Sequence, residues 1–168
     1  MRLVFGRERP VCTACGHTVF FDPKVAVAVL ITRAGSADNG AEILLVQRGN
    51  DPGKGLWSVP AGFMDYDEDP QSAAVRETFE ETGLTIQIAH LIAVLHRPDP
   101  DGLADLVLIY RGALADPQTD PYPGDDTVAT AWFTGEAIPE LAFASTRLLV
   151  QRWRAGDFDR IDAIGTLD

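Results

Sequence analysis

The chain has 168 residues, 46% of them hydrophobic, and a formal net charge of −11. That length accommodates one domain with a sizeable core and leaves little room for a second. The acidic balance argues against a general nucleic-acid or anionic-membrane surface, because sequence-independent contact with phosphate backbones needs lysine and arginine; no apolar run of about 18 residues is present to span a membrane.

The N-terminus, MRLVFGRERP, has an apolar patch too short for a signal peptide, and its charges follow that patch rather than precede it, so a cytoplasmic protein is expected. Both cysteines fall in one C-x-x-C, Cys12 and Cys15, within PVCTACGH, where Gly16 is placed for a tight turn and His17 stands close by. This is half of a zinc knuckle. A closed structural site takes four ligands and no second pair exists, so the pattern suits either bound Zn²⁺ or a purely structural turn. Residues 1–24 therefore read as an N-terminal segment and 25–168 as the main domain.

The β-branched run at 25–32, VAVAVLIT, and the run at 42–47, EILLVQ, are expected to be strands of a hairpin around AGSADNG, inside a buried central sheet. In GNDPGKGLWSVPAG, the residues Pro52, Gly53, Gly55 and Pro60 break regular structure, Trp57 is expected to pack in the core, and Arg48 and Lys54 are either phosphate contacts or solvated cations. GFMDYDE is expected to be a loop. A helix follows, with Asp69 as N-cap, Pro70 at the first position, Gly83 as a left-handed stop, and Ala73, Ala74, Val75 and Phe79 as its apolar face.

Strands are next expected at TIQIAHLIAVLH and LADLVLIYRGAL around a turn at RPDPDG. The long loop ADPQTDPYPGDD then leads into a last strand, TVATAWF, and loops of this length are often functional. Asp125 and Asp126, at its end, are either site carboxylates or turn residues. A final helix from about Ala144 to Ala155 would bury Leu148, Leu149 and Trp153 and stop at Gly156.

Chemistry concentrates on the first helix. Glu77 and Glu81 lie one turn apart on one face, with Glu80 at the neighbouring position. Three crowded carboxylates repel one another unless water or a cation offsets the charge. Such a ridge is either a solvated acidic face or a site for a hard ion such as Mg²⁺ or Mn²⁺, which takes one or two carboxylates and completes its shell with water and substrate phosphates.

Taken as a string, Gly62, Glu68, Arg76-Glu77, Glu80-Glu81, Gly83 and Leu84 in GFMDYDEDPQSAAVRETFEETGL resembles the Nudix box of the Nudix hydrolase superfamily; Thr78, where an aliphatic residue is usual, departs from the pattern. The resemblance implies the Nudix fold, an α/β/α sandwich with a mixed sheet between helices. It also implies divalent-metal-dependent hydrolysis of a nucleoside diphosphate linked to another moiety. Glu77 and Glu81 would be metal ligands, with Glu80 a further ligand directly or through water and the Ala61 carbonyl an additional oxygen. Arg76 would pair with Glu68 and hold the loop, and the general base would be Glu77 or Asp126. The C-x-x-C-G leading through Phe20-Phe21-Asp22-Pro23 resembles Nudix proteins with an N-terminal zinc ribbon, although relatives carry a second C-x-x-C upstream and this chain has only 11 residues there. Ile138 to Phe143 resembles a segment of the relatives that cleave ADP-ribose, FAD or NADH, and Pro98 or Pro100 falls where such relatives carry a marker proline. A homodimer is likewise implied. The alternatives are a house-cleaning hydrolase of oxidised nucleoside triphosphates and a non-catalytic nucleotide sensor. Phe63, Tyr66, Tyr110 and Tyr122 are candidates to stack on a base, or are ordinary packing residues.

Overall fold

A computed structural model describes residues 1–35, 40–96, 103–157 and 162–165. The tips of the two expected hairpins, with Pro98 and Pro100, lie outside the described residues. Strand β3 (Val25–Ala34) occupies the centre of the sheet. It pairs in parallel with β8 (Leu106–Leu114), and antiparallel with both β4 (Ala41–Arg48) and the short β6 (Ala61–Phe63). Beyond β8 come β7 (Ile86–His96), antiparallel, and β10 (Asp162–Gly165), parallel; β4 pairs antiparallel with β5 (Trp57–Ser58) and with β9 (Thr127–Thr134). The sheet is mixed, as expected.

Alternation along β3 explains the layers. Successive strand side chains point to opposite faces, and here both faces are covered, so the strand reads as a continuous apolar run. Val27, Val29 and Ile31 pack with Ala73 and Ala74 of helix α1 (Pro70–Thr82), whereas Ala28 and Leu30 pack with Leu149, Val150 and Trp153 of helix α2 (Ala144–Arg154). One helix thus covers each face, giving the α/β/α sandwich. Each fully buried aliphatic side chain in these layers contributes roughly 1.5–3 kcal/mol.

The ends of α1 are set by chemistry. Asp69, in extended conformation, accepts the N–H groups of Gln71 and Ser72 at 3.0 and 3.1 Å, and the Ser72 contacts hold its carboxyl below the ordinary range. Gly83 ends the helix at φ +69°, donating its N–H to the Phe79 carbonyl at 2.7 Å. A Cβ there would also lie 2.0 Å from the Tyr122 ring. The loop before β9 closes on this helix end: Tyr122 N–H donates to the Thr82 carbonyl, and the Glu81 carbonyl accepts both the Gly124 N–H and the Thr127 hydroxyl. Helix-terminal carbonyls without intrahelical donors are satisfied in this way.

Some expectations need correction. The stretch expected to be free of regular structure contains β5, and GFMDYDE begins with the end of β6, because main-chain pairing with β4 and β3 overrides the glycine and proline signals. Phe79 is 51% exposed, so Thr78, fully buried, takes the inward position and donates its hydroxyl to the Ala74 carbonyl at 2.8 Å. Leu148 is only partly buried and Val150 replaces it in the core. Ahead of the sheet, β1 (Arg2–Val4) and β2 (Arg7–Arg9) form a hairpin whose turn residues Phe5 and Gly6 both have positive φ. Among the described residues no helix is long and apolar enough to cross a membrane.

Candidate active site

The tight β6–α1 connection places three box carboxylates around one guanidinium. Arg76 donates through Nε and Nη2 to Glu68 at 2.9 and 2.8 Å, through Nη1 to Glu77 at 2.8 Å and Glu80 at 3.0 Å, and through Nη2 to the Phe63 carbonyl at 3.0 Å. The bond to Arg76 holds the Glu68 carboxyl below its ordinary range, and the Glu68 contact in turn pushes the Arg76 guanidinium up. Only the Glu68 partnership follows from the box pattern. The reach to Glu80 depends on the i,i+4 spacing within the helix, and that to Phe63 on the return of β6 beside it.

Glu81 is held by β6 instead. Only 9% exposed, it accepts the Ala61 N–H at 3.0 Å. Burial pushes its carboxyl up to about 8, against the opposing pull of the Ala61 amide and with a further upward push from Glu77. Burial also raises Glu77, opposed by its bond to Arg76. The charge of Arg48, in the same cavity, pulls the Glu81 carboxyl down but does not offset its burial. Glu77, Glu80, Glu81, Asp126, Arg48 and the Ala61–Phe63 segment line one cavity of about 380 Å³. Asp126 is held there by Asn50, whose Nδ2 donates to Oδ1 at 2.7 Å, while its carbonyl accepts the Gly49 N–H at 2.7 Å. Sequence reasoning did not single out Asn50; its partner lies 76 positions away.

The donor set fits a hard divalent ion. All the available groups are oxygens, which suit Mg²⁺ or Mn²⁺. A Cβ on Gly62 would lie 2.0 Å from the Glu77 carboxylate, so the backbone is cut back to let that carboxylate into the cavity. The carboxylates are not drawn together into a closed cage: among the described residues no three His, Cys, Asp or Glu side chains converge as ligands, because Arg76 holds Glu77 and Glu80 while the Ala61 amide holds Glu81. An ion that needs one or two carboxylates and otherwise binds water and phosphate is suited to such a site. Gly62→Ala is expected to lower kcat at least roughly tenfold by displacing Glu77, with circular dichroism unchanged; steady-state kinetics beside the wild type checks it.

The N-terminal knuckle does not offer a zinc ligand set. Gly16 N–H donates to the Cys12 carbonyl at 3.0 Å and Cys12 N–H to the His17 carbonyl at 2.8 Å, closing the expected turn. Backbone N–H groups of Cys15 and Ala14, with the Cys15 thiol, hold the Cys12 thiol below its ordinary range. Both cysteines are nevertheless free and exposed, and no third ligand joins them among the described residues. A zinc ribbon is not shown; the upstream position holds the β1–β2 hairpin, whose Phe5 packs against Phe20 at 6.5 Å between ring centroids.

Among the aromatic candidates, Phe63 lines the acidic cavity, Tyr110 is buried in the core, Tyr66 is 98% exposed, and Tyr122 lies against Gly83. Trp57 meets Phe133 edge-on at 4.9 Å. Lys54 is exposed and lines neither this cavity nor the apolar one beside it, whereas Arg48 is fixed, with Nε donating to the Pro52 carbonyl at 2.7 Å and its guanidinium 4.9 Å from the centre of the Phe143 ring.

The chain is similar to known proteins. The NUDIX domain family model matches residues 22–153. An ADP-ribose pyrophosphatase of Methanocaldococcus jannaschii is 32% identical over 148 residues, covering 83% of this chain and 80% of the relative. Phosphatase NudJ of Escherichia coli is 30% identical over 135 residues, covering 80% and 83%. The crystal structure of a NUDIX hydrolase from Nitrosomonas europaea superposes with a TM-score of 0.77 at 26% identity, covering 99% of this chain and 92% of that one. A helix bearing Glu77, Glu80 and Glu81, braced by Arg76 and set against a glycine-cleared strand, is thus found in a chain that belongs to the NUDIX family of hydrolases.

Proposed function

We propose that this Nudix hydrolase cleaves the pyrophosphate of a nucleoside diphosphate linked to another moiety, with ADP-ribose the first substrate to test and Mg²⁺ or Mn²⁺ required. The observation that carries the reading is the buried Glu81, facing one cavity with the carboxylates of Glu77, Glu80 and Asp126. The name of the archaeal relative supports ADP-ribose. In this reading Glu77 and Glu81 hold the ion, Glu80 adds a ligand directly or through water, and the Ala61 carbonyl adds an oxygen. The ion, when bound, neutralises the pyrophosphate and makes water a better nucleophile.

The chain's own groups do the rest. Arg76 and Glu68 keep the 63–68 loop closed over the site, and Arg48 supplies a fixed cation for a phosphate. Glu77 or Asp126 takes the proton of the attacking water, Asp126 being oriented for this by Asn50. Residues 1–24 form, in this reading, an N-terminal segment ahead of the hydrolase domain.

ADP-ribose incubated with the protein and Mg²⁺ should yield AMP and ribose 5-phosphate, EDTA should abolish the reaction, and added Mg²⁺ or Mn²⁺ should restore it. FAD, NADH, diadenosine polyphosphates and oxidised deoxynucleoside triphosphates belong in the same screen. Preferred turnover of the triphosphates would replace this reading with the house-cleaning one, and binding without turnover would replace it with the sensor.

A further inference from the structure

Two hairpins shape the N-terminal segment. The first is β1–β2; the second carries the C-x-x-C, with Val11 bridged to Thr18 and the Val19 N–H donated to the Pro10 carbonyl at 2.9 Å. Phe20 joins them: the Phe5 ring stacks on it, and the Arg9 guanidinium lies 5.0 Å from its centre while donating to the Val4 carbonyl. Aromatic and cation–π contacts thus brace the base of the second hairpin. Neither thiol is used in that bracing, and residues 12–17 at the tip are all exposed.

The tip brings the two sulfurs together. Main-chain bonds from Cys12 to Gly16 and His17 close the turn, Gly16 taking the left-handed conformation at φ +75°, and the Cys12 thiol is in hydrogen-bonding contact with that of Cys15. The N–H groups of Cys15 and Ala14 also reach the Cys12 sulfur and favour its thiolate, the form that attacks disulfides. Metal ligation would need further ligands, which do not converge here among the described residues, whereas exchange needs only the pair. We propose that Cys12 and Cys15 form a thiol–disulfide exchange site, which takes a small-molecule disulfide and closes to an intramolecular Cys12–Cys15 disulfide. Cys12 attacks one sulfur of the small disulfide, forming a mixed disulfide and releasing one thiolate. Cys15 then gives its proton to water and attacks the Cys12 sulfur; the bond from Cys12 to the small molecule breaks, and the second thiolate leaves. The dithiol is oxidised by two electrons and gives up two protons, and the small disulfide is reduced to two thiols. The inference stands apart from the hydrolase reading and gives the N-terminal segment a chemistry of its own.

The test incubates the full-length protein with oxidised glutathione, removes the excess, and reads intact mass and free thiols. The wild type should lose two hydrogens and keep no glutathione, its two free cysteines should no longer titrate, and dithiothreitol should restore them. Cys15→Ser should retain one glutathione on Cys12, because nothing resolves the mixed disulfide, and Cys12→Ser should react at least about tenfold more slowly than Cys15→Ser. Both cysteines are exposed, so neither serine disturbs a core, and the wild-type masses decide the matter if a variant fails to fold. A wild-type chain that keeps both thiols, retains glutathione on either cysteine, becomes linked to a second chain, or reacts only after treatment with a zinc chelator would overturn the assignment. Equal rates in the two variants would overturn it as well.

Discussion

Glu81→Gln is expected to lower kcat roughly a thousandfold while leaving the fold intact. Glutamine keeps the size of the side chain and can still accept the Ala61 N–H, but it carries no charge for a divalent ion. The same substitution has a second readout, and its sign follows from the burial of the carboxyl. In the metal-free folded protein Glu81 is pushed from 4.5 to about 8, so the folded state holds this proton more tightly than the unfolded chain does. Stability is therefore unaffected by Glu81 below pH 4.5, where both states are protonated, and falls as the pH rises from about 4.5 to about 8. The loss reaches up to roughly 5 kcal/mol. Mg²⁺ should cancel it. Chemical denaturation at pH 5 and pH 8, with and without Mg²⁺, should show a metal-sensitive alkaline loss in the wild type and a flatter profile in Glu81→Gln. Near-normal turnover of the variant with Mg²⁺ would sink the metal assignment.

Arg76→Ala should cost roughly a hundredfold in activity, the range found when groups that orient metal ligands are removed. The guanidinium is shared by Glu68, Glu77, Glu80 and the Phe63 carbonyl, so its loss frees the loop and leaves three carboxylates mutually repelling. The effect should appear in the Mg²⁺ concentration required for half-maximal rate as well as in kcat. Arg76→Lys should recover little, because a point charge on a flexible stem cannot reproduce the fork that bonds Glu68 through Nε and Nη2. An unchanged Mg²⁺ requirement in Arg76→Ala would show that the arginine does not position the ligands.

Local chemistry made much of this legible in the sequence. The limits of α1 follow from Asp69, Pro70 and Gly83, and the long strands from β-branched and apolar runs that both helices cover. Elements that depend on distant pairing were not legible. β5 and β6 are three residues or fewer, lie among glycine and proline, and exist because β4 and β3 supply hydrogen-bond partners. The β1–β2 hairpin is built from strands of three residues, one of them the charged Arg7-Glu8-Arg9, too short for a periodic signal. In the site, the box spacing points to Glu68 with Arg76. Asn50 beside Asp126 and Arg48 over Phe143 join segments far apart in the chain, which no spacing rule reaches.

The closure of the 122–127 segment on the end of α1 bears on how this enzyme can diversify. Three bonds, from Tyr122, Gly124 and Thr127, tie that segment to the Thr82 and Glu81 carbonyls, and Gly83 leaves room for the Tyr122 ring alone. Asp126 is thereby locked in step with the backbone that carries Glu81, and an insertion within 122–127 would shift one carboxylate against the other. Insertions and deletions among close descendants are expected to collect at 115–121, upstream of the tie, where added length can reshape the mouth of the site while the spacing of its acids stays constant.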